Sequence, residues 1–276
     1  MQSLPLWARA LRAFDRLAWF GYHAHEITRD EVLFAYLRPE LRAIATVAAY
    51  SDMRTYLPGG ATFSAGLFRW EEALFASSCI PRSGHVLLAA AGGGRELKAL
   101  LERGYSVTAF EPNPVLFQGA RQVAANQPSV DLHRATYSDI VLAASGEGVL
   151  CSIRGRKFDW VLFGWGSFTH VTEREEQLAT LRAVRALAPN APLALSFFLR
   201  KPDVPSRSRR LRLLIREVLR RAGGAPKVDP GLGYDSGGGF VYSYTMEEMT
   251  ALAANAGYRI EVSDDDSFPY VVLVPS

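Results

Sequence analysis

Along the first 78 residues, apolar positions recur every three or four residues. Leu4, Trp7, Leu11, Phe14 and Leu17 mark one stripe. Val32, Leu33, Tyr36 and Leu37 mark a second that ends near Pro39, and Leu41, Ile44 and Val47 a third. That spacing predicts helices with one buried face. A Pro58–Gly60 turn then leads into a further helix around Leu67 to Phe75. From Gly84 onward the pattern changes. Short apolar runs (HVLLAAA, YSVTAF, VDLHRAT, FDWVLFGW, APLALSFF) alternate with helical stretches (RELKALLERG, NPVLFQGARQVAANQ, REEQLATLRAVRALAP). Strands alternating with helices of this length predict right-handed βαβ units and a parallel sheet. The tail departs from that rhythm. A helix opened by Thr245 and closed near Gly257 is followed by two strands, joined by DDDSFP. So short a joint cannot hold a crossover helix, which predicts an antiparallel final pair.

The expected fold is therefore α/β: a doubly wound, Rossmann-like, mostly parallel seven-stranded sheet with an antiparallel C-terminal hairpin. A helical N-terminal cap (1–78) precedes the sheet domain (79–276). Within that domain, residues 201–240 interrupt the alternation and are expected to form a substrate lid. Leu211, Leu214, Ile215 and Val218 give the insert one helical apolar face, with Arg209, Arg212, Arg216 and Arg220 largely off it. Its second half, rich in glycine and with Pro226 and Pro230, is expected to be a loop in which Tyr234 and Tyr242 supply substrate contacts.

Composition adds little beyond bounds. With 276 residues, 49% of them hydrophobic, the chain can bury one large core. Its basic residues are mostly arginine and the formal net charge is only +3, which argues against a nucleic-acid partner. Cys79 and Cys151 lie in no metal or nucleophile pattern, so both are expected to be reduced core residues of a cytoplasmic protein. Arg9, Arg12, Asp15 and Arg16 break the N-terminal apolar stretch, which excludes a signal-peptide core or a membrane span there. Trp7, Trp19, Phe63 and Trp70 are expected in the core. His23 and His25 point to different sides of a helix and do not suit a shared metal. No metal site is expected, the Asp264–Asp266 run being read as a hairpin turn.

The chemistry concentrates where the first strand ends. Gly92, Gly93 and Gly94 separate HVLLAAA from an amphipathic helix. Without Cβ atoms they let a ligand approach the backbone, and the helix start favours a negatively charged group. A dinucleotide would require G-x-G-x-x-G, and both registers fail, at Leu97 and at Glu96. S-adenosylmethionine needs no pyrophosphate cradle, only room for its amino-acid end and a carboxylate for the ribose diol. Glu111, directly after YSVTAF, stands where that carboxylate is expected.

From about Gly84 to Pro275 these residues resemble the class I S-adenosylmethionine-dependent methyltransferases. The family's glycine motif falls on Leu88 to Gly94: Gly92 and Gly94 keep its last two glycines, Ala90 replaces the first, and Leu88 replaces its acidic residue. The resemblance places Ala90, Ala91, Gly92, Gly94, Glu111 and Pro112 at the cofactor. Thr136, Tyr137 and Ser138 fall near the adenine, with Gly164 and Trp165 at the fourth strand. It implies methyl transfer to a small-molecule acceptor, as in secondary metabolism, yielding S-adenosylhomocysteine. His170, just past the fourth strand, is the candidate base. Two alternatives stay open at this point. One is nucleic-acid methylation, resting on the arginines of SRSRRLRLLIREVLRR. The other is a non-catalytic cofactor-binding protein, resting on Leu88 and Ala90.

Overall fold

A computed structural model describes residues 5–200, 207–225, 229–235, 237–265 and 268–276. Helices α1 (Leu6–Tyr36), α2 (Pro39–Ala49), α3 (Ala61–Ser64) and α4 (Arg69–Ala76) come first. Then follow β1 (His85–Ala89), α5 (Arg95–Glu102), β2 (Ser106–Phe110), α6 (Pro114–Ala124), β3 (Val130–His133), α7 (Tyr137–Ser145), β4 (Trp160–Phe163), α8 (Arg174–Leu187) and β5 (Leu193–Ser196). The chain ends with β6 (Phe198–Leu199), α9 (Arg207–Arg221), β7 (Leu232–Asp235), β8 (Gly239–Tyr244), α10 (Met246–Asn255), β9 (Tyr258–Asp264) and β10 (Tyr270–Pro275).

The main sheet has seven strands in the order β3-β2-β1-β4-β5-β10-β9. Strands β1 to β5 pair in parallel, and β10 runs antiparallel to both β5 and β9. The expected sheet and its antiparallel hairpin are thus present. Its central strands read as unbroken apolar runs because both faces are covered. In β1, Val86 and Leu88 pack among Trp70, Leu97 and Trp160, while Leu87 and Ala89 face Phe110, Val161 and Phe163. β4 alternates in the same way, Trp160 and Leu162 against Val161 and Phe163. Thr245 caps α10 in a reciprocal pair with Glu248, as its position before the first turn suggests. A small second sheet, β6-β8-β7, had no counterpart in the sequence reading. Neither did α7, whose nine residues follow β3 directly.

By contacts, the chain divides into two compact units: residues 39–201 with 231–276, and residues 1–38 with 202–230. The second unit is built on α1 and α9, joined by a bidentate pair in which Arg216 donates to buried Glu31 at 2.7 and 2.8 Å. Two helices have too few faces to enclose a core, so several expected core residues lie outside it. Trp7 is 71% exposed and Trp19 65%, and Leu11, Phe14, Leu17, Leu214 and Val218 are exposed as well. Leu4, Pro226 and Asp266 lie outside the described residues, as do 201–206 of the expected lid. In the sheet unit, Trp70 is buried as expected, but Leu41 and Ile44 are exposed because α2 turns Ala43, Thr46 and Val47 toward a cavity instead. Both cysteines are free thiols: Cys79 is half-buried against the core, whereas Cys151, at the start of a short 3-10 helix (Cys151–Ile153), is exposed and not the core residue expected. Among the described residues no helix is long and apolar enough to cross a membrane, and no group of acidic, His or Cys side chains could hold a metal.

Candidate functional site

A cavity of about 960 Å³ lies in the sheet unit, at the carboxyl ends of β1, β2 and β4. The chain turns sharply there. Ala90 takes φ 53°, Gly92 φ 57° and Gly94 φ 95°, all in the left-handed region that favours glycine. The Gly94 N–H donates to the Ala91 carbonyl at 2.9 Å and closes the turn, and Gly94 begins α5. A Cβ on Gly92 would meet nothing within 4 Å, so that face of the backbone opens on the cavity. Gly93 is different, because a Cβ there would overlap the Tyr56 carbonyl. Gly164, at the end of β4, also answers to packing: its Cβ would lie 2.6 Å from the Ala90 carbonyl oxygen.

Glu111 ends β2 on the cavity wall and is only 4% exposed. The Gly92 N–H donates to its Oε2 at 2.8 Å and the Asn113 N–H to its Oε1 at 2.8 Å, which fixes the carboxylate between the two turns. Burial pushes its carboxyl up, to about 7, against the pull of these two N–H donors. Asn113 holds the next corner. Its Oδ1 accepts from Val115 and Leu116 and caps α6, while its Nδ2 donates to the Val47 carbonyl at 2.6 Å and to Ser51 Oγ at 3.1 Å.

Of the residues expected at the cofactor, Ala90, Gly92, Glu111, Pro112, Thr136, Tyr137, Ser138 and Trp165 all line this cavity. Ala91 is buried in the core, and Gly94 and Gly164 shape the turn from behind. Tyr137 and Ser167 share a hydrogen bond of 2.6 Å, and burial drives the Tyr137 phenol upward. Ser138 Oγ donates to Glu176 at 2.6 Å. His170 also lines the cavity, but both its ring nitrogens are engaged. The Phe240 carbonyl, 2.9 Å from Nδ1, can only accept, so Nδ1 carries the proton and Nε2 accepts from the Tyr50 hydroxyl at 2.9 Å. Burial holds the His170 imidazole below its usual range, so it is neutral at pH 7.

Neither tyrosine expected at the substrate lines the cavity. Tyr242 is fully buried, with the Arg174 guanidinium 4.9 Å from its ring centroid, and Tyr234 packs on Phe240 at 5.0 Å. Alternation in β8 explains this: Val241 faces the cavity, so Tyr242 faces the core. The turn between β7 and β8 contributes Asp235, Gly237 and Gly238 instead. Tyr50, Tyr56, Arg95 and Glu96 also line the cavity and escaped the sequence reading. Glu96 had a signal, standing two residues past the glycine turn. Tyr50 had none, since its place depends on how a 3-10 turn after α2 packs.

No protein-family model and no curated protein sequence matches the chain. Solved structures do. A SAM-dependent methyltransferase of Methanosarcina mazei aligns over 76% of this chain and 98% of its own, with 16% identity and a TM-score of 0.52. The 1,6-didemethyltoxoflavin-N1-methyltransferase of Burkholderia thailandensis, solved with 1,6-didemethyltoxoflavin and S-adenosylhomocysteine bound, aligns over 84% and 88% with 20% identity and a TM-score of 0.52. The strand order with its reversed final hairpin decides the matter. The fold is that of the class I methyltransferases. A neighbour from Rhodobacter sphaeroides, provisionally described as a zinc-dependent alcohol dehydrogenase, aligns over 76% and 90% with 16% identity and a TM-score of 0.51. At these identities the methyltransferase fold is what the likeness carries, and activity must be argued from the cavity.

Proposed function

We propose that this chain binds S-adenosylmethionine in the cavity and transfers its methyl group to a small molecule. The observation that carries the reading is Glu111: a carboxylate 96% removed from solvent, aimed into a largely apolar cavity, with hydrogen-bond capacity left on both oxygens. A vicinal diol donating to it would repay its burial. The open face of Gly92 leaves room for the rest of the ligand beside it. Glu111 would hold the ribose, Thr136, Tyr137 and Ser138 the adenine side, and Gly92 and Trp165 the amino-acid end. Once bound, the group supplies an activated methyl.

The protein's own part is alignment and, for an O–H or N–H acceptor, custody of a proton. Tyr50 lines the cavity, and its Oη already donates to His170 Nε2. Burial raises the Tyr50 phenol, so it works as a neutral relay: Oη takes the acceptor's proton as its own passes to Nε2. The Phe240 carbonyl holds Nδ1–H through that transfer. His170 thus acts through Tyr50. The expected lid enters this reading through the turn that brings Asp235, Gly237 and Gly238 to the cavity wall. Calorimetry with S-adenosylhomocysteine tests the proposal. Wild type should bind, and Glu111→Ala should bind about 10- to 100-fold more weakly, since charge-assisted bonds contribute roughly 1.5–3 kcal/mol each. Equal affinities in two folded proteins would remove the reading's main support.

A further inference from the structure

Leu88, at the position where the resembled family carries an acid, is fully buried among Trp70, Leu97 and Trp160 and does not line the cavity. A carboxylate is nevertheless present on the same wall. Glu96, from the first turn of α5, has its side chain 8% exposed and lines the cavity beside Trp165. Its Oε1 accepts from Arg95 Nη2 at 2.7 Å and from the Trp165 backbone N–H at 3.2 Å. Its Oε2 has no hydrogen-bond partner among the described residues.

The local charge does not balance. Arg95 is committed to Glu71, donating from Nη1 at 2.5 Å and from Nη2 at 2.7 Å, and Nη1 also donates to the Gly66 carbonyl. One guanidinium therefore faces two buried carboxylates, and the pair with Glu71 is the bidentate one. Of the two, only Glu96 lines the cavity, where its unpartnered oxygen can meet a cationic ligand. Burial and Glu96 together push the neighbouring Glu71 carboxyl up, to about 7, a further mark of uncompensated negative charge in this corner.

We propose that Glu96 binds the ammonium of the ligand's amino-acid end through its free Oε2, supplying from the start of α5 the charge that Leu88 lacks. The assignment rests on the cofactor reading above and names which residue fixes the orientation of that ligand. An ammonium has three donors and no acceptor, so it matches an oxygen with open lone pairs beside a backbone N–H that is already taken.

Two probes separate the possibilities: S-adenosylhomocysteine, and 5′-methylthioadenosine, which keeps the nucleoside but has no amino-acid end. In Glu96→Gln the Oε1 contacts to Arg95 and Trp165 can persist while the charge is lost. Binding of S-adenosylhomocysteine should weaken about 10- to 100-fold, with 5′-methylthioadenosine binding as in wild type. The ligand-free variant should melt no lower than wild type, because an excess buried charge has been removed. Equal weakening of both probes would show Glu96 acting only through the cavity's structure and would overturn the assignment, as would unchanged affinity for both. If wild type binds neither probe, the cofactor reading itself fails, and this inference with it.

Discussion

Glu111 makes ligand binding a titration. Its carboxyl is held near 7 by burial, whereas a diol that donates two hydroxyl hydrogens requires the ionised form. With a value of about 7, roughly nine-tenths of the free protein is ionised at pH 8 and roughly one-tenth at pH 6. The association constant for S-adenosylhomocysteine should then fall about tenfold over that interval, equivalent to about 1.4 kcal/mol. Binding at pH 6 should also release close to one proton per site, because the bound carboxylate is ionised. Calorimetry in two buffers of different ionisation enthalpy reads both quantities. Glu71 titrates in the same range but is committed to Arg95, so Glu111→Gln serves as the control: it should bind weakly and with little pH dependence. The ligand-free protein should show the opposite trend. A carboxyl raised from its ordinary 4.5 makes a contribution to stability that is complete below about pH 4.5 and is lost as pH rises through 7. The loss attributable to Glu111 amounts to about 3 kcal/mol. Affinity that is flat from pH 6 to 8 in a folded protein, with no proton released, would refute this account of Glu111.

Gly92→Val should abolish detectable S-adenosylhomocysteine binding, because the new side chain would occupy the open cavity face, while φ 57° costs roughly 1 kcal/mol of stability; retained affinity by calorimetry would place the ligand elsewhere. Tyr242→Ala should cost roughly 3–5 kcal/mol in chemical denaturation, as expected for a large side chain lost from a core. A variant with near wild-type stability would contradict its core placement. Amide exchange of residues 231–235 and 237–244 should slow when S-adenosylhomocysteine is added, since the β7–β8 turn borders the cavity. Identical exchange with and without ligand would exclude the turn from any closing motion.

The sheet was legible because doubly covered strands leave apolar runs such as FDWVLFGW, and because a joint as short as DDDSFP permits only a hairpin. The ligand edge was legible because glycines and a carboxylate follow directly on strands, as Gly92 and Glu111 do. Other parts were not, for identifiable reasons. The same stripe rule that located α1 misjudged Trp7 and Leu17, since periodicity reports a face and not whether anything covers it. Tyr242 was assigned by residue type, whereas its direction is set by strand parity in β8. Tyr50 and Asp235 reach His170 and the cavity wall from more than 60 residues away on either side of it, a relation that no local pattern encodes.

The cavity wall is drawn from stretches scattered between Pro39 and Val241, and Asn113 ties two of them through Val47 and Ser51. Such a cavity comes into being only once distant parts of the chain have met, so it belongs to the late, non-local stage of folding. A small molecule that fills it acts as a removable cross-link, holding together segments whose encounter is entropically expensive. At a ligand concentration of a hundred times Kd that cross-link adds about 2.7 kcal/mol to global stability. The abundance of the folded chain in a cell would then follow the supply of its own ligand.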